Sequence, residues 1–533
     1  MFKSLHRPLA LLALFGLAAC GGGSSVPSTP TPPPSGAGLK QQNFVGIGDS
    51  LTFGEQAGGQ LGVITTSPVS AISSGGPPGS PGLVQPTQTN GFWALMYAQM
   101  NGIALDPALG KWNTDTALGA ASTSPLPLIN AAGLGAQLVV SAVSPPFAPT
   151  HSSCDAFNQS AFSAASAQAT RVSATAPIAD LGIPGISMHE AVAMTAPLTG
   201  PPNGPNCGYV TIPGDITSGG LQSLVSGESE LFYPVLGQFQ STLGAGKVTQ
   251  LAAAVSLQPK LTTVWLGSND LLKFIFSHGQ SPITDSPTQF ATDLTTIVTT
   301  LEKAGSKVVV GNLPDILGNG STEPPVPQFF PQTKLSADLQ ALGIPAAIAD
   351  ADAAFVSANY TKGNGGFLTE SGFFGLVAQI QANPTGQPNL DPNGPGSGNG
   401  PLYVDQAFAA QAIALNAGYN QAISSVAAAT GAGLADIETA LRTASSGVVI
   451  GPMTLTSQFG GGIISYDGLH PTNVGYALIA NVFIGAADSK FGLTIPPIDN
   501  GTLGATFLAI ASGDTYNPFV IKSVNPAWPF PLP

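Results

Sequence analysis

The sequence predicts an α/β protein, a three-layer α/β/α sandwich with a central, mainly parallel sheet of about five strands and long loop insertions. Three observations predict it. Short, continuous apolar runs recur at 44–47, 177–185, 262–267, 307–312 and 433–437, most of them closing on a Gly, Asn or Asp turn. Helical segments at 229–256, 287–304 and 405–430 lie between them. Runs apolar on both faces and alternating with helices argue for a parallel sheet covered on both sides. The composition agrees: 43% of the 533 residues are hydrophobic and only 8% charged, which suffices for a large core. With 66 Gly and 48 Pro, long ordered loops are expected over that core.

The chain opens on an export leader, residues 1–19. Lys3 and Arg7 form its positive end, and the apolar stretch from Leu9 to Leu17 is too short to span a bilayer. Leu17-Ala18-Ala19-Cys20 resembles a bacterial lipobox, which implies cleavage before Cys20 and lipidation of its thiol. Residues 21–38 read as a tether loosened by Gly and Ser and extended by Pro, reaching roughly 60 Å. The mature protein is therefore expected to be anchored by lipid, in the outer membrane by analogy. No later stretch is apolar for 18 residues. The net charge is −13, and losing Lys3 and Arg7 with the leader makes it −15. An acidic chain with 15 Lys and Arg is a poor nucleic-acid binder. With Cys20 lipidated, Cys154 and Cys207 are left as a pair in an oxidising compartment, and a disulfide between them is expected. Neither they nor His151 have metal-ligand spacing, so neither metal nor cofactor is expected.

Phe44 to Ile47 is the first strand, with β-favouring Val45 and Ile47, and Gly48 turns the chain so that Ser50 follows its end. A Gly/Pro/Ser-rich loop runs on to residue 89. A helix follows over 91–100, with Asn90 as its cap and its aromatic residues in the core. The region 55–177 as a whole reads as an insertion. The second strand, 177–185, ends in a Gly-bearing turn. After the third (Thr262 to Gly267) and fourth (Lys307 to Asn312) comes a second insertion, 316–400, with apolar clusters at Phe329-Phe330 and Phe373-Phe374-Gly375-Leu376 and a loop from Asn393 to Gly400. Gly433 to Ile437 is the fifth strand, and a last helix starts at Val474. The main domain thus spans 39–491, and a Pro- and aromatic-rich tail, 492–533, is expected on the surface.

Candidate chemistry gathers at the ends of these strands. A serine nucleophile needs a base, an orienting group for the base, and donors for the oxyanion. His470 lies in Asp467-Gly468-Leu469-His470, where an Asp three residues earlier can fold back to accept the Nδ1–H and leave Nε2 facing a serine. His189, beside Glu190, follows the second strand's turn and is a weaker candidate for touching substrate; His151 and His278 read as structural. Leu266-Gly267-Ser268-Asn269-Asp270 follows the third strand, and Asn269 is either an amide donor or a helix cap. In a parallel sheet all these positions collect along the carboxyl edge.

The blocks Gly48-Asp49-Ser50-Leu51, Leu181-Gly182-Ile183-Pro184-Gly185, Gly267-Ser268-Asn269-Asp270 and Asp467-Gly468-Leu469-His470 resemble, in order, those of the GDSL (SGNH) hydrolases. Val310-Gly311-Asn312-Leu313-Pro314 is similar to that family's fourth-strand segment. The resemblance implies Ser50 as nucleophile, His470 as general base and then acid, and Asp467 as its orienting carboxylate. It implies an oxyanion hole of the Ser50 and Gly185 N–H groups with the Asn269 side chain. Gly182 is the alternative donor; Gly185 is preferred because it ends the turn. The elbow Gly-x-Ser-x-Gly of another hydrolase fold is absent. The expected activity is ester hydrolysis, as esterase or lipase, with the apolar insertions favouring an acyl chain. A glycan O-deacetylase on the same fold and an inert surface-binding lipoprotein are the alternatives.

Overall fold

The computed structural model describes residues 43–56, 88–103, 176–195, 235–244, 246–276, 285–318, 329–390, 402–458, 461–465, 468–501 and 503–513, with shorter pieces between 105 and 173. The leader, Cys20 and the tether, most of the first insertion, Cys154, Cys207, the loop 393–400 and Asp467 lie outside these residues.

Four parallel strands form the central sheet, in the order β1 (Phe44–Gly48), β2 (Leu261–Trp265), β3 (Lys307–Gly311) and β4 (Gly433–Ala435). Phe44 pairs with Leu261, Leu261 with Lys307, and Val309 with Gly433. The fifth strand expected at 177–185 is a bonded edge rather than a regular strand. Gly46 N–H donates to Ala179 O, Leu181 N–H to Gly46 O and Ile183 N–H to Gly48 O, at 2.9 to 3.0 Å, with one parallel bridge between Gly46 and Asp180. Pro184 and the turn at Gly185 end the pairing there.

The helices flanking the sheet are α1 (Ser50–Phe53), α2 (Phe92–Met100), α3 (Met188–Ala193), α4 (Gln250–Ser256), α5 (Ser268–Phe276), α6 (Pro287–Lys303), α7 (Gln406–Thr430), α8 (Ile437–Ser445), α9 (Asn473–Phe491) and α10 (Ala505–Gly513). Aromatic rings join the layers. Phe92 of α2 stacks on Phe483 of α9 at 4.6 Å, and both meet Trp265 edge-on. Phe290 of α6 stacks on Tyr419 of α7 at 4.4 Å. Trp93 and Trp265 are fully buried, so each removes a large apolar area from water, worth several kcal/mol.

Three expectations are revised. The helix read over 229–256 is broken where it is described: Gly244 and Gly246 take φ of 90° and 72°, and Thr249 then caps α4 by accepting the Ala252 N–H. Asn90 does not cap α2; it closes a 3-10 turn, and Gly91 occupies the cap without a side-chain bond. Part of the tail is not draped on the surface, because α10 buries Phe507 and Ile510 in the main core.

The second insertion folds around a core of its own. Strands Phe329–Pro331, Phe367–Thr369 and Tyr403–Val404 form a small antiparallel sheet. Phe330 stacks on Phe373 at 4.0 Å, and Phe374, Leu376 and Leu335 complete the cluster. These apolar residues therefore face one another and do not line a substrate channel. Among the described residues no helix is long and apolar enough to cross a membrane.

The Cys154–Cys207 disulfide is a correction. No cysteine pair comes near bonding distance, and a bridge requires Cα atoms within about 7 Å. A count of leftover cysteines supplies the chemistry of a bond but not its geometry.

Candidate active site

Ser50 stands at the first turn after β1. Asp49 caps α1 by accepting the Leu51 N–H at 3.0 Å, and this sharp turn brings the Ser50 side chain to the carboxyl end of the sheet. His470 arrives from the other end of the sequence. Its short loop is pinned at both sides: Ser465 N–H donates to His470 O at 2.8 Å, and Thr472 N–H to Ile463 O at 2.9 Å. Thr472 then caps α9. The result is a hydrogen bond between His470 Nε2 and Ser50 Oγ at 2.8 Å, across 420 positions. Both residues are buried, at 7% and 8% exposure. An imidazole nitrogen so placed can take the serine proton as the hydroxyl attacks. Asp467, read as the orienting carboxylate, lies outside the described residues.

Asn269 sits in the first turn of α5, just past β2. Its Nδ2 donates to Ile186 O at 3.2 Å and to Asp49 Oδ2 at 3.3 Å. The amide is thereby held between the nucleophile turn and the glycine turn. Gly185 takes φ of 77°, a left-handed conformation that favours glycine. The two candidate glycines have different duties. Gly182 N–H is already donated to Asp180 Oδ1 at 2.9 Å, and a side chain there would strike Phe53 N at 2.4 Å. The Gly185 N–H has no such bond among the described residues.

Residues that no motif announced hold this edge together. Gln250 of α4 donates through Nε2 to Gly48 O at 2.7 Å and to Leu181 O at 2.6 Å, clamping the end of β1 to the glycine turn. Glu55 brings a carboxylate oxygen to 3.9 Å from His470 Nε2. Asp180 is buried, and burial raises its carboxyl to about 8 despite the Gly182 N–H. Burial likewise raises Asp49 to about 7, with the Leu51 N–H and His470 opposing it. Gln250 and Glu55 carry no local sequence signal, since they act through space on distant segments, whereas Asp49 and Asp180 each accept an N–H only two residues on.

His189 does not join Ser50. It lies on α3, half-exposed, with Nδ1 at 3.0 Å from Asp293 Oδ2. Its neighbour Glu190 completes a capping box with Ser187 and pairs with buried Lys273 at 3.0 Å. Burial acts to raise the Glu190 carboxyl, but the Lys273 charge and the bonds to Ser187 outweigh it and hold the group below its ordinary value.

The family model described as GDSL-like Lipase/Acylhydrolase matches residues 209–483, a little over half of the chain. That span includes Asn269 and His470 and begins after Ser50. The chain matches no curated protein and no solved structure at a significant level.

Proposed function

The chain belongs to the GDSL-like lipase/acylhydrolase family, and we propose that it cleaves carboxylic esters through an acyl-enzyme formed on Ser50. Hydrolase chemistry of the esterase type follows from the family itself. The observation that carries the residue-level reading is the 2.8 Å hydrogen bond between His470 Nε2 and Ser50 Oγ.

In this reading Ser50 Oγ attacks the ester carbonyl while its proton passes to His470 Nε2. Asp467 accepts the His470 Nδ1–H and stabilises the imidazolium. The carbonyl oxygen, now an anion, is met by the N–H groups of Ser50 and Gly185 and by Asn269 Nδ2. Collapse expels the alcohol, which takes the proton back from His470. A water molecule then attacks the acyl-enzyme by the same proton route and frees the acid. Both Asn269 Nδ2 hydrogens are taken up in the resting site, one by Ile186 O at 3.2 Å and one by Asp49 Oδ2 at 3.3 Å. In this reading the longer bond to Asp49 is exchanged for one to the oxyanion, while the bond to Ile186 keeps the amide in place.

The envelope address belongs to the same proposal. Cleavage before Cys20 and lipidation of its thiol anchor the enzyme to the outer membrane, and the tether to residue 38 lets the domain reach nearby esters. The substrate class is carboxylic esters at large. The apolar residues of the second insertion lend no weight to a long acyl chain, because they are buried in their own core.

The test is a fluorophosphonate probe, which labels an activated serine, used beside p-nitrophenyl esters of short and long chain. Wild type is expected to label and turn over. Ser50→Ala is expected to lose labelling and to lose turnover by ~10⁴-fold or more. A folded wild type that neither labels nor hydrolyses any ester would sink the reading and leave a binding lipoprotein on a hydrolase fold. The chain-length profile separates esterase from lipase.

A further inference from the structure

A second polar cluster lies beside the glycine turn and takes no part in the hydrolysis described above. Met188, at the start of α3, donates its N–H to Asp270 Oδ2 at 3.0 Å, so α3 is tied to the Asn269 turn. The Asp285 carboxyl faces that of Asp270, and Asp285 immediately precedes Ser286, the cap of α6. One α6 residue, Asp293, completes the group with His189 of α3. One donor atom from each of His189, Asp285 and Asp293 falls within a sphere where all lie within 4.8 Å of one another.

The charges are unbalanced. Glu190, Asp270, Asp285 and Asp293 are all at most 9% exposed, and the buried Lys273 ammonium is bonded to Glu190. Burying unpaired carboxylates is costly. Asp285 Oδ2 and Asp270 Oδ1 are both buried without a hydrogen-bond partner. Lys273 also acts on Asp270 and the His189 imidazole on Asp285, which leaves fewer positive groups than the four buried carboxyls and two orphan oxygens beside a half-exposed imidazole.

We propose that His189, Asp285 and Asp293 form a binding site for one divalent cation of the zinc class. Donor atoms about 2.1 Å from a common ion stand ~3 to 4 Å apart, depending on the angle between them. The 3.0 Å between His189 Nδ1 and Asp293 Oδ2 fits that spacing, and the set, whose atoms lie within 4.8 Å of one another, needs a contraction of less than about 1 Å to close on one ion. One imidazole nitrogen with two carboxylates suits zinc better than calcium, which takes oxygen donors. The exposed side of His189 leaves room for water as a further ligand. Gln289 Nε2 donates to Asp293 Oδ2 at 2.9 Å and orients that carboxylate from the same helix. The ion would staple α3 to α6 and so brace the turn that carries Gly185. This role is structural and independent of which ester is cleaved. It also departs from the absence of metal expected from Cys and His spacing alone, because the ligands are separated by about a hundred positions.

The experiment uses the full chain in detergent, stripped with EDTA and dialysed against Zn²⁺, Mn²⁺ or Ca²⁺ in turn, with bound metal and thermal midpoint measured. Wild type is expected to bind one equivalent of Zn²⁺ and to melt several degrees higher with it. His189→Ala and Asp293→Asn, each verified as folded by circular dichroism, are expected to weaken binding at least tenfold and to lose the thermal shift. Because His189 is half-exposed, its variant keeps the test available if Asp293→Asn fails to fold. The proposal is overturned if folded wild type binds no Zn²⁺, as it would if a proton shared by Asp270 and Asp285 balances the cluster. It is also overturned if both variants bind as wild type does, which would assign the metal elsewhere. Variant-sensitive binding of Ca²⁺ in preference to Zn²⁺ would overturn the zinc class.

Discussion

Replacing Asp180 by Asn should flatten the pH dependence of stability between about pH 4 and 8. Asp180 is 1% exposed, and its Oδ1 accepts the Gly182 N–H at 2.9 Å. Burial raises its carboxyl from 3.8 to about 8, the Gly182 N–H opposing the rise. In the unfolded chain it ionises at its ordinary value, so between about 4 and 8 folding takes up a proton. Stability therefore falls as pH rises through that window and levels off above it. The gap of about four pH units, at ~1.4 kcal/mol each, sets a ceiling of ~6 kcal/mol, of which ~3 kcal/mol is lost between pH 6 and 8.5. Asp49, raised by burial to about 7, adds ~1 kcal/mol over the same interval. Asn is neutral throughout, and its Oδ1 can accept the same Gly182 N–H. The assay is the urea midpoint of wild type and Asp180→Asn at pH 6.0 and 8.5. The variant should lose ~3 kcal/mol less than wild type between them, since contributions common to both cancel. Parallel losses, within ~1 kcal/mol, would refute the claim that a buried acid stands under the glycine turn with a raised pKa.

Two further outcomes follow from the same edge of the sheet. Asn269→Ala should lower kcat by ~10²- to 10³-fold with KM changed only a few-fold, because the amide acts on charge that develops in the transition state; steady-state kinetics on one ester decide it, and a purely KM effect would contradict the role. Gly182→Ala should destabilise by ~1 to 3 kcal/mol or more, since its Cβ would lie 2.4 Å from Phe53 N and 2.8 Å from Phe53 Cα, backbone atoms that no rotamer change can move. Gly485→Ala, on the exposed face of α9 with nothing within 4 Å of the new methyl, should instead stabilise by up to ~1 kcal/mol; thermal melts of the two variants should move in opposite directions.

The parts of this site that the sequence discloses are those made by neighbours along the chain. Ser50, Asn269 and His470 each lie within a few residues of a strand end or a helix cap, so an apolar run and a turn residue suffice to find them. The four regular strands lie within a residue or two of where their apolar runs suggest, because a strand buried on both faces has few alternatives. The second run pairs only over Ala179 to Ile183, where Pro184 interrupts it, and periodicity cannot foresee how far an edge will bond. What the sequence conceals is contact at a distance. Gln250 reaches Gly48 across 202 positions, and its side chain looks like any polar residue at the start of a helix. The insertion's aromatic clusters are equally ambiguous, since an apolar run has the same composition whether it lines an acyl groove or packs on itself. The structure buries Phe330 and Phe373 against each other, so this cluster is a core and not a groove. The cysteines teach the same lesson: a count of leftover thiols does not by itself predict a bond. The sequence thus discloses the reacting groups better than their support. In this chain that support is Gln250 clamping the end of β1 to the glycine turn and Asp180 accepting the Gly182 N–H.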